Sequence, residues 1–241
     1  MSRVAKLGLI VLQVDETIEQ DFRRLFSPSD VAIYVSRVPS GQNLTPQTIA
    51  KMEATLPQAV GLLPPAVSFD VIGYACTSGA TLIGAARVAE LVQGAAITRA
   101  VTNPLTATVS ALKALGVSSV AVVSPYIAAV AQPLHKAFEH QGVRVVGNFS
   151  FGEEVEARVA QISAHSVYEA ALSVGSDSEV DAVFLSCTNL HTLDILAPLE
   201  KALGKPVISS NQALAWHMAS LSNSLPLLHG HSATLDKAPH L

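Results

Sequence analysis

The stretch VFLSCTNLHT, residues 183–192, runs from an apolar, strand-like segment through Cys187 into small hydroxyl and amide residues. The same grammar recurs at VIGYACTSGAT, residues 71–81, around Cys76. The chain has two cysteines, and each occupies the same point of a similar phrase. Asp70 precedes Asp181, and Cys76 precedes Cys187, by the same 111 residues. The match extends outward. LGLIVL (7–12) corresponds to SSVAVVS (118–124), and each is followed by a helix-like segment containing Phe. VAIYVSRV (31–38) corresponds to VRVVGNF (143–149), and the segments near Val101 and Ile208 end in TNP and SSN.

These runs, with AAITRAV (95–101), VDAVFLSC (180–187) and KPVISS (205–210), mostly lack strict alternation. Continuous β-rich runs suit strands buried on both faces, as in parallel sheets. Helix-like segments separate them at 15–26, 45–63, 84–95, 104–116, 128–142, 163–174, 192–204 and 212–221. Gly116 and Gly204 read as helix stops and Thr45-Pro46 as a helix start. Pro57 and Pro133 fall inside helix-like segments, where a kink or break is expected. The alternation predicts an α/β fold of two similar parallel-sheet lobes related by a pseudo-two-fold axis. Residues 1–103 form the first lobe, 104–210 the second, and 211–241 a helix returning to the first lobe plus a tail.

Composition narrows the function. Of 241 residues, 49% are hydrophobic and 14% charged, with a net charge of −4, which supports a sizeable core. No basic run or aromatic-basic patch points to nucleic acid. No apolar run approaches a membrane span. The N-terminal MSRVAKLGLIVLQVDE has two basic residues and a short apolar run, but an acidic cluster stands where a signal cleavage site belongs. Two cysteines in a chain of this size read as cytoplasmic thiols rather than a disulfide, and as a poor zinc site. No P-loop or GxGxxG fingerprint is present, so no cofactor is implied.

In open α/β sheets, ligands bind beyond the carboxyl ends of the strands. If the lobes face each other, Cys76 and Cys187 face each other across the cleft. Helix starts after each cysteine would favour anions and lower the thiol pKa toward neutrality. Two opposed thiols could move protons on opposite faces of one carbon, giving racemisation. Alternatively, one thiolate could add to a double bond, allow rotation and be eliminated. Either route needs an enediolate-like carboxylate held by donors. Thr77, Ser78, Thr188 and Asn189 are suitable. The bland reading is that both cysteines are buried strand residues; the matched pair favours function.

With GLIVLQVDETIE, YACTSGA, VSPYIAAVAQPL, LSCTNLHTLDILAPLE and GKPVISSNQALAWH in place, the chain resembles the aspartate/glutamate racemase superfamily. It is most similar to the maleate isomerase and arylmalonate decarboxylase branch, and is also similar to ectoine-utilisation proteins. The resemblance implies a cofactor-independent isomerase or racemase of a small carboxylic acid, acting as a dimer. It places Cys76 at the nucleophilic thiol and Cys187 at the proton-transferring one. Thr77 and Ser78 fall in the carboxylate-binding loop, Tyr126 matches a tyrosine bonding a carboxylate, and Thr188 contributes its N–H. Arylmalonate decarboxylases have glycine at the first thiol position, so Cys76 argues against that activity.

One departure stands out. Leu12-Gln13-Val14-Asp15 replaces a proline–serine–serine–asparagine-like phrase. Asp15 would repel a dicarboxylate unless paired or protonated. It reads either as a contact to an amine, amidine or hydroxyl group of substrate, or as a helix cap before ETIEQDF. Among other polar residues, Asn103 and Asn211 suit either substrate or caps. Arg37 is a better carboxylate candidate than Arg99. His191 reads as exposed, His217 as packing, and His229 and His231 as tail rather than metal ligands. The charge run GEEVEARV (152–159) reads as a solvated face or lid. Decarboxylation of a malonate-like acid, and a small-molecule sensor with a redox thiol pair, are the competing functions.

Overall fold

A computed structural model describes residues 4–43, 45–225, 228 and 235; His229 and His231 lie outside them. Strand and helix alternate along the chain. The first sheet is built from β1 (Ala5–Leu12), β2 (Val31–Val38), β3 (Phe69–Ala75) and β4 (Thr98–Thr102). Its helices are α1 (Ile18–Leu25), α2 (Pro46–Val60), α3 (Thr77–Ile83) and α4 (Ala85–Gln93), followed by α5 (Pro104–Ala114). The second sheet contains β5 (Ser119–Ser124), β6 (Arg144–Ser150), β7 (Ala182–Leu185) and β8 (Val207–Ser209). With it come α6 (Ala128–His140), α7 (Glu156–Val159), α8 (Ala164–Gly175), α9 (Leu193–Leu203) and α10 (Ser210–Leu221).

Both sheets are parallel, and their orders are the same: β2-β1-β3-β4 and β6-β5-β7-β8. The sequence duplication is therefore a duplication of topology. The central strands β3, β5 and β7 are buried along their whole length, which explains their unbroken apolar runs. The edge strand β6 is largely open to solvent, and its residues are correspondingly more polar.

Gly116 and Gly204 follow α5 and α9 with φ of +69° and +65°, the left-handed conformation that ends a helix and that glycine adopts freely. Pro57 and Pro133 do not end their helices. α2 and α6 continue through them, because each proline forfeits one backbone bond while the buried face of its helix holds the turn. α10 crosses from the end of the second sheet to pack on β3, α5 and α1. A Cβ at Gly73 would lie 2.6 Å from Met218 Sδ, so glycine lets α10 approach β3 closely. Among the described residues no helix is long and apolar enough to cross a membrane.

Candidate active site

Cys76 follows β3 and caps α3 directly. Its Sγ accepts a hydrogen bond from Gly79 N–H at 3.2 Å and lies 3.5 Å from Ser78 Oγ. The turn is tight: a Cβ at Gly79 would sit 2.4 Å from the Tyr74 hydroxyl and 2.9 Å from Cys76 Sγ. Gly79→Ala must therefore displace the thiol or Tyr74, and overpacking of this kind costs about 1–3 kcal/mol. A fall in melting temperature together with a lower turnover number would mark the distortion; unchanged values for both would refute the close approach.

Cys187 follows β7 differently. No helix begins there: a turn at residues 188–189 and a loop to residue 192 precede α9. Cys187 takes φ +144°, a conformation side chains other than hydrogen seldom adopt and one that stores strain. Its N–H donates to Ser210 Oγ at 3.1 Å, and Ser210 Oγ lies 2.9 Å from Thr77 Oγ1. Ser210, at the start of α10, thus links the loops that carry the two cysteines. Thr188 reaches from the second lobe to donate to Ala75 O at 3.4 Å. Tyr126, just after β5, is buried, and both thiols bear electrostatically on its hydroxyl. The structure therefore gathers Cys76, Cys187, Thr77, Ser78, Thr188 and Tyr126 where the two sheets' carboxyl ends meet.

Asp15 and Asn189 join this cluster. Asp15 Oδ1 accepts from Thr17 and Ile18 N–H, each at 2.9 Å, and so caps the entry to α1. Its Oδ2 is buried without a hydrogen-bond partner. Asn189 Oδ1 accepts from Glu16 N–H at 2.8 Å, while its Nδ2 lies 3.4 Å from both Val14 O and Glu156 O. Asn189 therefore binds the first lobe's β1–α1 loop to the second lobe. Asn189→Ala would leave several buried polar groups unpaired, a loss of roughly 2–4 kcal/mol. A lower urea midpoint is the expected result; an unchanged one would show that the lobes are held elsewhere.

Sequence reading missed Glu156. The run 152–159 is not wholly a solvated face: Glu156 is 3% exposed, and its Oε2 has no hydrogen-bond partner. Its N–H donates to Gln42 O at 3.0 Å, and Val155 forms an antiparallel bridge with Asn43. The loop after β2 and the loop after β6 thus join over the cleft. Ser210 was also missed. Nothing in GEEVEARV or VISSN distinguishes either residue by composition.

The thiols are not lowered toward neutrality. Burial pushes Cys76 up to about 11, against the bonds from Ser78 and Gly79, and holds Cys187 well above the usual thiol range, aided by the Glu156 charge. Loss of water outweighs the few donors each sulfur gains. Burial also raises Asp15, and raises Glu156 to about 8 with help from the Asp15 charge.

Other candidates are committed elsewhere. Arg37 donates to Leu12 O, Gln13 O and Asp15 O and pairs with Glu19, so it braces the β1 loop from behind. Arg99 donates to Leu221 O. Asn103 caps α5, and Asn211 ties Asp21 to Thr188 O. His217 is buried against Thr102, and His191 is exposed. Among the described residues no cluster of His, Cys, Asp or Glu could hold a metal.

Two same-order parallel sheets meeting over a pair of thiols define a pseudo-symmetric α/β cleft protein. The arylmalonate decarboxylase family profile matches residues 57–234; the chain belongs to that family. It is 27% identical to a maleate isomerase of Nocardia farcinica, over 93% of this chain and 91% of that one. It is 34% identical to an arylmalonate decarboxylase of Bordetella bronchiseptica over 124 residues, about half of each chain, at 50% and 51%. The fold matches a cysteine-to-serine mutant of the Nocardia farcinica maleate cis-trans isomerase carrying a covalently bound succinylcysteine intermediate. There the TM-score is 0.86 at 24% identity, covering 98% of this chain and 100% of that one.

Proposed function

We propose that this chain is a cofactor-independent isomerase or racemase of a small carboxylic acid, with Cys76 and Cys187 as its reacting groups. The observation that carries this reading is the placement of both thiols, buried and free, at the carboxyl ends of equivalent strands in two sheets of the same order. The relative with a succinylcysteine intermediate supports a cysteine nucleophile in this fold.

In the racemising form, one sulfur, as thiolate, accepts the proton from the carbon next to the carboxylate. The electron pair moves into the carboxylate to give an enediolate, and the opposite thiol protonates the other face. In the isomerising form, Cys76 thiolate adds to the double bond and the opposite thiol protonates the neighbouring carbon. The new single bond rotates; loss of that proton and of the sulfur regenerates the double bond and the thiolate. Thr77, Ser78 and Tyr126, with the Thr188 N–H, hold the carboxylate. Asn189 supports the loop rather than the substrate, since its amide is spent within the protein. Both thiols are held neutral in the closed cleft, so ionisation belongs to the ligand-bound state.

Decarboxylation of a malonate-like acid is the second reading, favoured by the family match and by the 34% identity with the Bordetella bronchiseptica enzyme. It would use Cys187 to protonate the enediolate left when carbon dioxide departs.

Proton NMR in D₂O decides between them. Maleate, aspartate, glutamate and arylmalonate would each be incubated with the wild type and Cys76→Ala. Deuterium at a carbon next to a carboxylate, lost in Cys76→Ala, would establish the two-base reaction. Maleate converted to fumarate would establish addition and elimination. Carbon dioxide release that survives Cys76→Ala would establish decarboxylation and overturn the leading reading.

A further inference from the structure

The first two residues of α10 reach back to the loop that carries Cys187. Ser210 Oγ accepts from Cys187 N–H at 3.1 Å, and Asn211 Nδ2 donates to Thr188 O at 2.9 Å and to Asp21 Oδ2 at 2.7 Å. Capping of the helix falls to Ser209, whose Oγ accepts from Gln212 N–H at 3.3 Å. The hydroxyl of Ser210 is therefore free for other work, and it is fully buried. Its oxygen also lies 2.9 Å from Oγ1 of Thr77, which follows the other thiol and is 1% exposed.

The proton count fixes which of these two hydroxyls donates. A serine hydroxyl has one proton and two lone pairs. One lone pair of Ser210 holds Cys187 N–H. If Thr77 donated, it would take the second, and the Ser210 proton would need an acceptor elsewhere. A serine in a helix can turn that proton to the carbonyl four residues back. Here that carbonyl, Pro206 O, meets Val183 N–H at 3.0 Å. Among the described residues Ser210 Oγ has no partner besides Cys187 N–H and Thr77 Oγ1. A buried proton left without an acceptor is costly. With Ser210 donating, its proton and Cys187 N–H are both satisfied. The Thr77 proton, for which no second partner stands among the described residues, is then left for a ligand.

We propose that Ser210 is a positioning residue: it donates to Thr77 Oγ1 and so turns the Thr77 proton toward the substrate carboxylate. This rests on the reading that places the carboxylate beside Thr77. Cys187 N–H, the Ser210 hydroxyl and the Thr77 hydroxyl then donate in one direction, and each link strengthens the next as a donor. An enediolate carries more charge than the starting carboxylate, so the benefit falls on turnover. The backbone of one thiol's loop thereby tunes the donor beside the other thiol.

Neutron diffraction from crystals of the intact protein exchanged into D₂O reads the direction without any substrate. The deuteron between the two oxygens should sit on Ser210 Oγ, with that of Thr77 off the line joining them. A deuteron on Thr77 Oγ1 pointing at Ser210 would overturn the proposal. Kinetics give a second readout, on whichever of maleate, aspartate, glutamate and arylmalonate is turned over. Ser210→Ala should lower kcat about tenfold, with KM changed far less, and most of that loss should vanish in a Thr77→Val background. Equal losses in both backgrounds would show that Ser210 merely holds the Cys187 loop, and would also overturn it. The two readings fail separately. Turnover surviving the loss of either cysteine would sink the thiol reading, while a deuteron on Ser210 upheld the donor chain. A Thr77 deuteron on that line, with turnover still dependent on both cysteines, would do the reverse.

Discussion

Cys76→Ala and Cys187→Gly should each lose turnover by at least 10²–10⁴-fold, the usual worth of a positioned proton-transfer group, yet move stability in opposite directions. Cys76 Sγ accepts the Gly79 N–H that opens α3, so removing it leaves a buried donor unsatisfied, for about 1–2 kcal/mol. Cys76→Ser should restore that cap without restoring catalysis, because an alcohol is too weak an acid to replace a thiol. Cys187 is different. Its φ of +144° is unstrained only for glycine, and strain of this kind is worth on the order of 1–3 kcal/mol. Glycine there should offset the lost side-chain contacts and melt at or above the wild-type temperature, although inactive. A clear drop in the melting temperature of Cys187→Gly would mean the backbone is not under tension. Substantial activity in either variant would remove that cysteine from the mechanism.

Glu156→Gln should stabilise the protein at pH 8 and do little at pH 4.5. The carboxyl's pKa rises from an ordinary 4.5 to about 8 on folding, chiefly through burial and secondarily through Asp15. Between those values the unfolded chain releases the proton and the folded one keeps it. Stability therefore falls as pH rises through that window, and levels off once the folded group also ionises. The full penalty is on the order of a few kcal/mol. Glutamine has no proton to lose and escapes it. Thermal melts of both proteins at pH 4.5, 6 and 8 should diverge steadily with pH. Parallel curves would show that Glu156 is ionised, or well solvated, in the folded state.

Much of this architecture was legible in the sequence because it was written twice. FDVIGYACTS and VDAVFLSCTN carry the same strand and the same loop start, and the repeat pointed to both the two-lobe plan and the two thiols. Thr77, Ser78, Thr188 and Asn189 stand out by their place after each cysteine, and Tyr126 by the family resemblance. What was not legible depended on contacts across the duplication. Glu156 sits in a charged run that reads as surface, and only the bridge between Asn43 and Val155 turns it inward. Ser210 is one serine among several until Cys187 N–H and Thr77 meet it. The thiol pKa values also ran against the sequence-based expectation. A helix start is visible in sequence, whereas the completeness of burial that overrides it depends on how the two lobes pack.

The joined loops over the cleft have a kinetic meaning. With Glu156 N–H held by Gln42 O and both thiols closed off from water, a ligand arriving by diffusion finds a shut door. How often these loops part, rather than how often molecules collide, then sets the ceiling on association. The observed binding rate should climb with ligand concentration and flatten at a value common to different ligands. Loosening the strap by shortening residues 40–43 should raise that plateau while shortening the time each ligand stays.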